Sequence, residues 1–295
     1  MAARPAPEIR ELRADGPEYP VGLRDLSDPP PVLYVRGRLA DGARTVAIVG
    51  SRAASPYGVA CALRLARDLA GLGFAIVSGL ARGIDAAAHR GCLDAAGASV
   101  AVLPGGLDAV TPRHHLELAE RLCERGALAS EWRLGAPLGP AVFVKRNRLI
   151  AALAAATIVV EAAERSGALS TAAAARRLGR PLLAVPGDID RPTARGAHAL
   201  LRRGARLCEG ASDVIAALGG VTGPPPSAPG AAAGGDRDAA ASGLRLLTAL
   251  EQGPRSTESL AAAAGLGLEQ ALADLLRLEW AGAVRSLPGQ RWIRA

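Results

Sequence analysis

From residue 46 to residue 185 the chain repeats one phrase: a short apolar run, a turn rich in glycine or serine, then apolar residues at helical spacing. Residues 46–49 end in Gly50, and Ala60, Leu63, Ala66, Leu69 and Ala70 then recur on one side of a helix opened by Ser55-Pro56. The phrase returns as runs at 74–77, 99–103, 128–130, 157–161 and 182–185, with helices over 85–96, 115–124, 148–155 and 168–178 between them. A run that is apolar throughout, rather than alternating, is a strand buried on both faces. Such strands alternating with helices specify a parallel α/β sheet covered on both sides. Residues 32–35, inside a proline-rich stretch, are a candidate additional strand.

The pattern stops at residue 219. Residues 219–242 are almost wholly Gly, Pro, Ala and Ser, too poor in large apolar side chains to build a core, and read as a linker. Beyond it lie a helix over 244–250, a second opened by Ser256 and Glu258, a turn at 265–267, a third helix over 269–278, and a hairpin over 284–293 turning at Pro288-Gly289. Three helices and a hairpin make a winged helix. The expected organisation is a loose leader over 1–18, a Rossmann-like domain over 19–218, the linker, and a winged-helix domain over 243–295. The expected fold class is α/β: an extended Rossmann-like parallel sheet with helices on both faces, plus the small C-terminal domain.

Charge narrows the partner. The net charge is +7 and Lys145 is the only lysine, so the positive charge is almost all guanidinium. That composition favours polyanions, which arginine grips with planar, multidentate hydrogen bonds. Cys61, Cys92, Cys123 and Cys208 are scattered, without metal-ligand spacing, and read as buried thiols of a reducing compartment. No metal site is expected. The first residues carry no secretory apolar run and no stretch has transmembrane length, so a cytoplasmic protein with no membrane partner is expected.

The turns after the strands carry the chemistry, because open α/β sheets bind ligands outside the carboxyl ends of their strands. In the first turn Gly50 allows close approach, Ser51 and Arg52 offer donors, and Ser55 opens a helix whose N-terminus favours an anion. A single glycine is not the G-x-G-x-x-G of dinucleotide sites, so no cofactor is expected. The second turn holds Gly79, Arg82 and Gly83, followed by Asp85 and His89, which read either as a catalytic pair or as a helix cap and a locally bonded histidine. Before the helix expected from 148, Phe143 stands beside Lys145, Arg146, Asn147 and Arg148. Cations beside a ring are what single-stranded nucleic acid needs: the cations track phosphates and the ring stacks a base. Ser166, Gly167 and Thr171 form the fourth turn and Pro186-Gly187 the fifth. Together these turns make one donor-rich, positive rim.

The strings GSRAAS at 50–55, SGLARGIDAAAH at 78–89, FVKRNRLIA at 143–151, VVEAAERSGALSTA at 159–172 and AVPG at 184–187 resemble, in order and spacing, the DNA-processing protein A (DprA/Smf) family. The lead-in YPVGLRDLSDPPPVLY at 19–34 is similar as well. The resemblance implies a homodimer formed through the Rossmann-like domain. It implies a protein that binds single-stranded DNA and loads the RecA recombinase during transformation and recombination, rather than an enzyme. It implies that Arg52 holds a phosphate, Phe143 stacks a base, Arg146 and Arg148 line the groove, and Ser166, Gly167 and Thr171 complete it. Two rivals are weaker. Pro104-Gly105-Gly106 begins the P-G-G-x-G-T-x-x-E mark of nucleotide phosphoribohydrolases, but Leu107-Asp108-Ala109-Val110 follows, without the Gly-Thr or the catalytic acid. A duplex-reading winged helix needs phosphate anchors, and residues 269–278 offer only Gln270, Asp274 and Arg277.

Overall fold

A computed structural model describes residues 8–40, 42–219, 235–250, 253–280, 283–287 and 291–294. It falls into two compact units, Met1–Pro226 and Ser227–Ala295.

The first unit is built on a nine-stranded sheet. Its strands are β1 (Ile9–Arg13), β2 (Val32–Gly37), β3 (Thr45–Val49), β4 (Ala75–Ser78), β5 (Ser99–Val102), β6 (Ala127–Ser130), β7 (Ala156–Val159), β8 (Leu182–Ala184) and β9 (Arg206–Leu207). The helices are α1 (Val21–Arg24), α2 (Pro56–Gly71), α3 (Ile84–Asp94), α4 (Leu116–Arg125), α5 (Pro140–Leu153), α6 (Ala168–Arg177), α7 (Arg195–Arg202) and α8 (Ala211–Ala217). The spatial order is β1-β2-β6-β5-β4-β3-β7-β8-β9. From β6 to β9 every pairing is parallel, and β2 and β1 close one edge antiparallel. The chain moves from β3 outward through β4, β5 and β6, then returns through α5 to β7 on the other side of β3. That reversal makes the β3/β7 boundary the topological switch point.

Every residue of β3 is buried, and alternate side chains enter different cores. Ala47 and Val49 pack with α1, α5, α6 and α7, whereas Val46 and Ile48 pack with α2, α3 and α8. Helix α4 covers the neighbouring part of the second face through Leu118 and Leu122, against Ala101, Leu103 and Leu128. The chain thus has the Rossmann-like, doubly covered sheet that its alternation of runs and helices specifies.

Three expected boundaries differ. Residues 9–13, expected in a loose leader, form β1: Leu12 is buried while Arg10, Glu11 and Arg13 face solvent beside β2. Helix α5 begins at Pro140 rather than at 148, with Gly139 as its N-cap and a proline in the first turn, where no amide hydrogen is needed. The expected linker over 219–242 lies outside the described residues from 220 to 234, and residues 235–242 are helical.

They belong to α9 (Gly235–Ala249) of the second unit, followed by β10 (Arg255–Ser256), α10 (Thr257–Ala264), α11 (Leu268–Trp280), β11 (Val284–Leu287) and β12 (Arg291–Arg294). The strands form an antiparallel sheet in the order β10-β12-β11. Ser256 caps α10 by accepting from Ser259 N, and Gly265 ends it in the left-handed region, at φ 63°. Leu246, Leu260, Leu275, Val284 and Trp292 fill the core, and Trp292 Nε1 donates to Thr257 Oγ1 at 2.9 Å. The expected Pro288-Gly289 turn lies outside the described residues.

Candidate nucleic-acid interface

A cleft of about 880 Å³ opens at the carboxyl ends of β3 and β7, at the switch point. Its walls are the β3–α2 turn, the β7–α6 turn and one face of α5. Of the residues expected to bind, Gly50, Ser51, Arg52, Phe143, Arg146, Asn147, Ser166, Gly167 and Thr171 line it. Ser55, Gly79, Arg82, Gly83, Lys145 and Arg148 do not.

Helical phase sorts the basic cluster. Because α5 starts at Pro140, Phe143 and Asn147 are one helical repeat apart and share a face, with Arg146 beside them. Lys145 and Arg148 lie on another face. Arg148 bonds Asp28 at 3.0 Å and Glu131 at 2.9 Å, and its side chain is only 13% exposed. Lys145 sits 3.5 Å from Glu131, with its ammonium 5.1 Å from the centre of the Trp132 ring. The expectation that Arg148 lines the groove is corrected: its charge is neutralised by carboxylates outside it.

Arg146 is also not a free cation. It is 3% exposed, and its Nη1 donates to Gly79 O at 2.7 Å and to Val102 O. Its Nε donates to Asn147 Oδ1 at 3.1 Å. Burial pushes its guanidinium down to about 10, against the opposing pull of Asp85. Arg146 therefore ties α5 to the ends of β4 and β5 from beneath the cleft. Gly79 serves that role, since a Cβ there would fall on the Arg146 guanidinium. Asn147 is equally engaged: its Nδ2 donates to Gly167 O at 3.1 Å and to Ser170 Oγ at 2.8 Å.

The N-terminus of α2, expected to favour a ligand anion, already holds one from the protein. Ser55 N and Ser55 Oγ both donate to Glu161 Oε2 at 3.0 Å. The Glu161 backbone oxygen accepts from Ser51 N at 2.6 Å. Both contacts fix the turn that carries Arg52. Arg52 is exposed, and its guanidinium lies 5.1 Å from the centre of the Phe143 ring. Helix α6 differs from α2: its N-cap, Gly167, has no side chain with which to cap it and is exposed at the cleft.

In the second turn Gly83 caps α3 at φ 75° and Arg82 points to solvent outside the cleft. Asp85 and His89 have separate local partners. Asp85 accepts from Ala81 N at 3.4 Å, and burial raises its carboxyl pKa, with Arg146 opposing. His89 Nδ1 lies 2.8 Å from Ser99 Oγ, and burial lowers its pKa to about 3. The Pro104-Gly105-Gly106 turn is buried, with Leu138 packed where a Cβ of Gly105 would stand. Among the described residues no cluster of His, Cys, Asp and Glu has the makings of a metal site, and no helix is long and apolar enough to cross a membrane.

One cation of the lining escaped the sequence reading. Arg165, on the β7–α6 turn, is exposed on the cleft wall, next in the chain to Ser166 of the expected set.

Fold and cleft together define a Rossmann-like α/β protein with a cleft at the switch point of its sheet. The family described as DNA recombination-mediator protein A matches residues 11–219, and the DprA winged helix domain matches 224–290. Protein Smf of Escherichia coli (strain K12) is 38% identical over 287 residues, covering 96% of this chain and 77% of that protein. The solved DNA processing protein A of Streptococcus pneumoniae shares 34% identity at a TM-score of 0.65, over 71% of this chain and 74% of that one. That of Helicobacter pylori, solved for its single-stranded DNA binding mode, shares 30% identity at a TM-score of 0.65, over 72% of this chain and 96% of that one. The chain belongs to the DprA/Smf family of DNA-processing proteins, and its C-terminal unit is that family's winged-helix domain.

Proposed function

We propose that this protein binds single-stranded DNA in the switch-point cleft and delivers the strand to the RecA recombinase in transformation and recombination. The observation that carries the binding reading is the pairing of Arg52 with Phe143 on the cleft wall. A guanidinium and an aromatic face in one groove are what a phosphate and an unpaired base require. The single-strand binding of the Helicobacter pylori relative supports it. The recombinase partner, the homodimer through the Rossmann-like domain and the cytoplasmic location rest on family membership and composition. A binder rather than an enzyme is favoured by the separate local partners of Asp85, which lines the cleft, and of His89: Ala81 N for the one and Ser99 Oγ for the other.

The test is titration of a labelled oligonucleotide followed by anisotropy. Wild type binds, Arg52→Ala binds weakly, and the chain ending at residue 218 keeps most of the affinity. No binding by wild type, or near-total loss in the shortened chain, overturns the assignment. RecA filament growth on strands already coated with single-strand-binding protein tests delivery, and light scattering tests the dimer.

A further inference from the structure

The cleft lining contains three guanidiniums, those of Arg52, Arg146 and Arg165. Arg146 is buried, with its donors turned to two backbone carbonyls and to Asn147. The remaining cations of α5, Lys145 and Arg148, face Glu131 and Asp28 outside the cleft. Arg165 is exposed on the wall formed by the β7–α6 turn, and no ion pair among the described residues joins it. That turn follows the strand next to β3, so Arg165 and Arg52 rise from adjacent strand ends.

We infer that Arg165 supplies the second phosphate contact of the cleft, and that Asn147 positions it. This rests on the single-strand reading given above. A strand lying along the switch point meets the Arg52 turn and the Arg165 turn in succession, with Phe143 on the opposite wall. The α5 motif then acts from behind. Arg146 holds Asn147 through Nε, and Asn147 grips Gly167 O and Ser170 Oγ. Ser170 Oγ also donates to Gly167 O at 2.8 Å, so the turn is fixed two residues from Arg165. Gly167 is open: a Cβ there would meet nothing within 4 Å, which leaves room for a ligand beside the guanidinium.

The experiment is anisotropy of a fluorescein-labelled thymidine oligonucleotide with the full chain, at salt from roughly 50 to 200 mM. Arg165→Ala weakens binding roughly tenfold and flattens the slope of log affinity against log salt by about 0.7, the loss of one phosphate contact. Arg165→Lys retains the slope. Arg177→Ala, at the far end of α6, leaves affinity and slope unchanged. Asn147→Ala weakens binding in the wild-type background and costs nothing further when Arg165 is already Ala. A purely structural Asn147 weakens both backgrounds equally, and that result overturns the positioning role. Wild-type affinity and slope in Arg165→Ala overturn the contact. Both variants are melted beside wild type, and an unchanged Tm for Arg165→Ala keeps the reading on binding alone. Failure of wild type to bind the oligonucleotide overturns the single-strand reading, and this inference with it.

Discussion

The Arg52 guanidinium carbon lies 5.1 Å from the centre of the Phe143 ring, across the mouth of the cleft. One residue comes from the β3–α2 turn and the other from α5, ninety-one positions later. A cation over a ring at this distance is a favourable contact in its own right. It also covers a face that a base would use, so an entering strand has to exchange one for the other. Arg52→Ala therefore flattens the salt dependence of oligonucleotide affinity by about 0.7. Phe143→Leu lowers affinity by about 1–3 kcal/mol with the slope unchanged. The two losses deviate from additivity by about 0.5 kcal/mol or more, as expected of side chains in contact. Strict additivity would show that the ring and the guanidinium act separately.

Arg146 yields a different phenotype. Removing a buried guanidinium leaves Gly79 O and Val102 O without their donor and Asp85 without the nearby positive charge. Arg146→Met lowers unfolding free energy by about 3–5 kcal/mol, measured from the urea midpoint. A variant as stable as wild type would return Arg146 to the set of direct contacts.

The sequence made the sheet legible because strands buried on both faces read as unbroken apolar runs. β1 escaped notice because IRELR buries only Leu12, and three of its five residues are charged. The candidate site was legible in position but not in role. Its turns follow strands, so they had to meet at one edge, whereas the roles expected of Arg52 and Phe143 came from the family resemblance. Whether Arg146 faces solvent depends on carbonyls 67 and 44 residues away, and no local spacing encodes those. Placing the start of α5 at 148 instead of 140 also hid the helical phase that separates Phe143 and Asn147 from Lys145 and Arg148.

Gly58 reverses a general rule. Within a helix, Gly→Ala commonly stabilises by about 1 kcal/mol. Here a Cβ would fall on Glu161 Oε2 and close to Ile84. Gly58→Ala is therefore destabilising, by about 1–3 kcal/mol, because the carboxylate that caps α2 must move. In a Glu161→Ala background the same substitution costs less, since the colliding group is gone. Urea melts of the four chains give the comparison, and an equal cost in both backgrounds would place the strain elsewhere.

His89 makes stability depend on pH in a defined window. Its ring is fully buried; burial first, then the charges of His115 and Arg146, bring its pKa from 6.5 to about 3. Ser99 Oγ donates to Ile76 O at 2.9 Å, so the 2.8 Å contact requires a proton on Nδ1 and leaves Nε2 bare, without a hydrogen-bond partner. Between those two pH values the unfolded chain binds a proton that the folded chain refuses, so stability falls as pH falls below 6.5 and levels off near 3. The slope from His89 alone is about 1.4 kcal/mol per pH unit. His115, lowered mainly by burial, adds to the loss; Asp85, raised by burial, acts in the opposite sense above its ordinary value. Urea unfolding of wild type and His89→Gln from pH 7 to pH 5 isolates His89, because Asp85 and His115 are common to both chains. His89→Gln removes one titrating proton, so its stability declines less steeply than wild type over that range. Parallel curves for the two proteins would mean that His89 is protonated in the folded state.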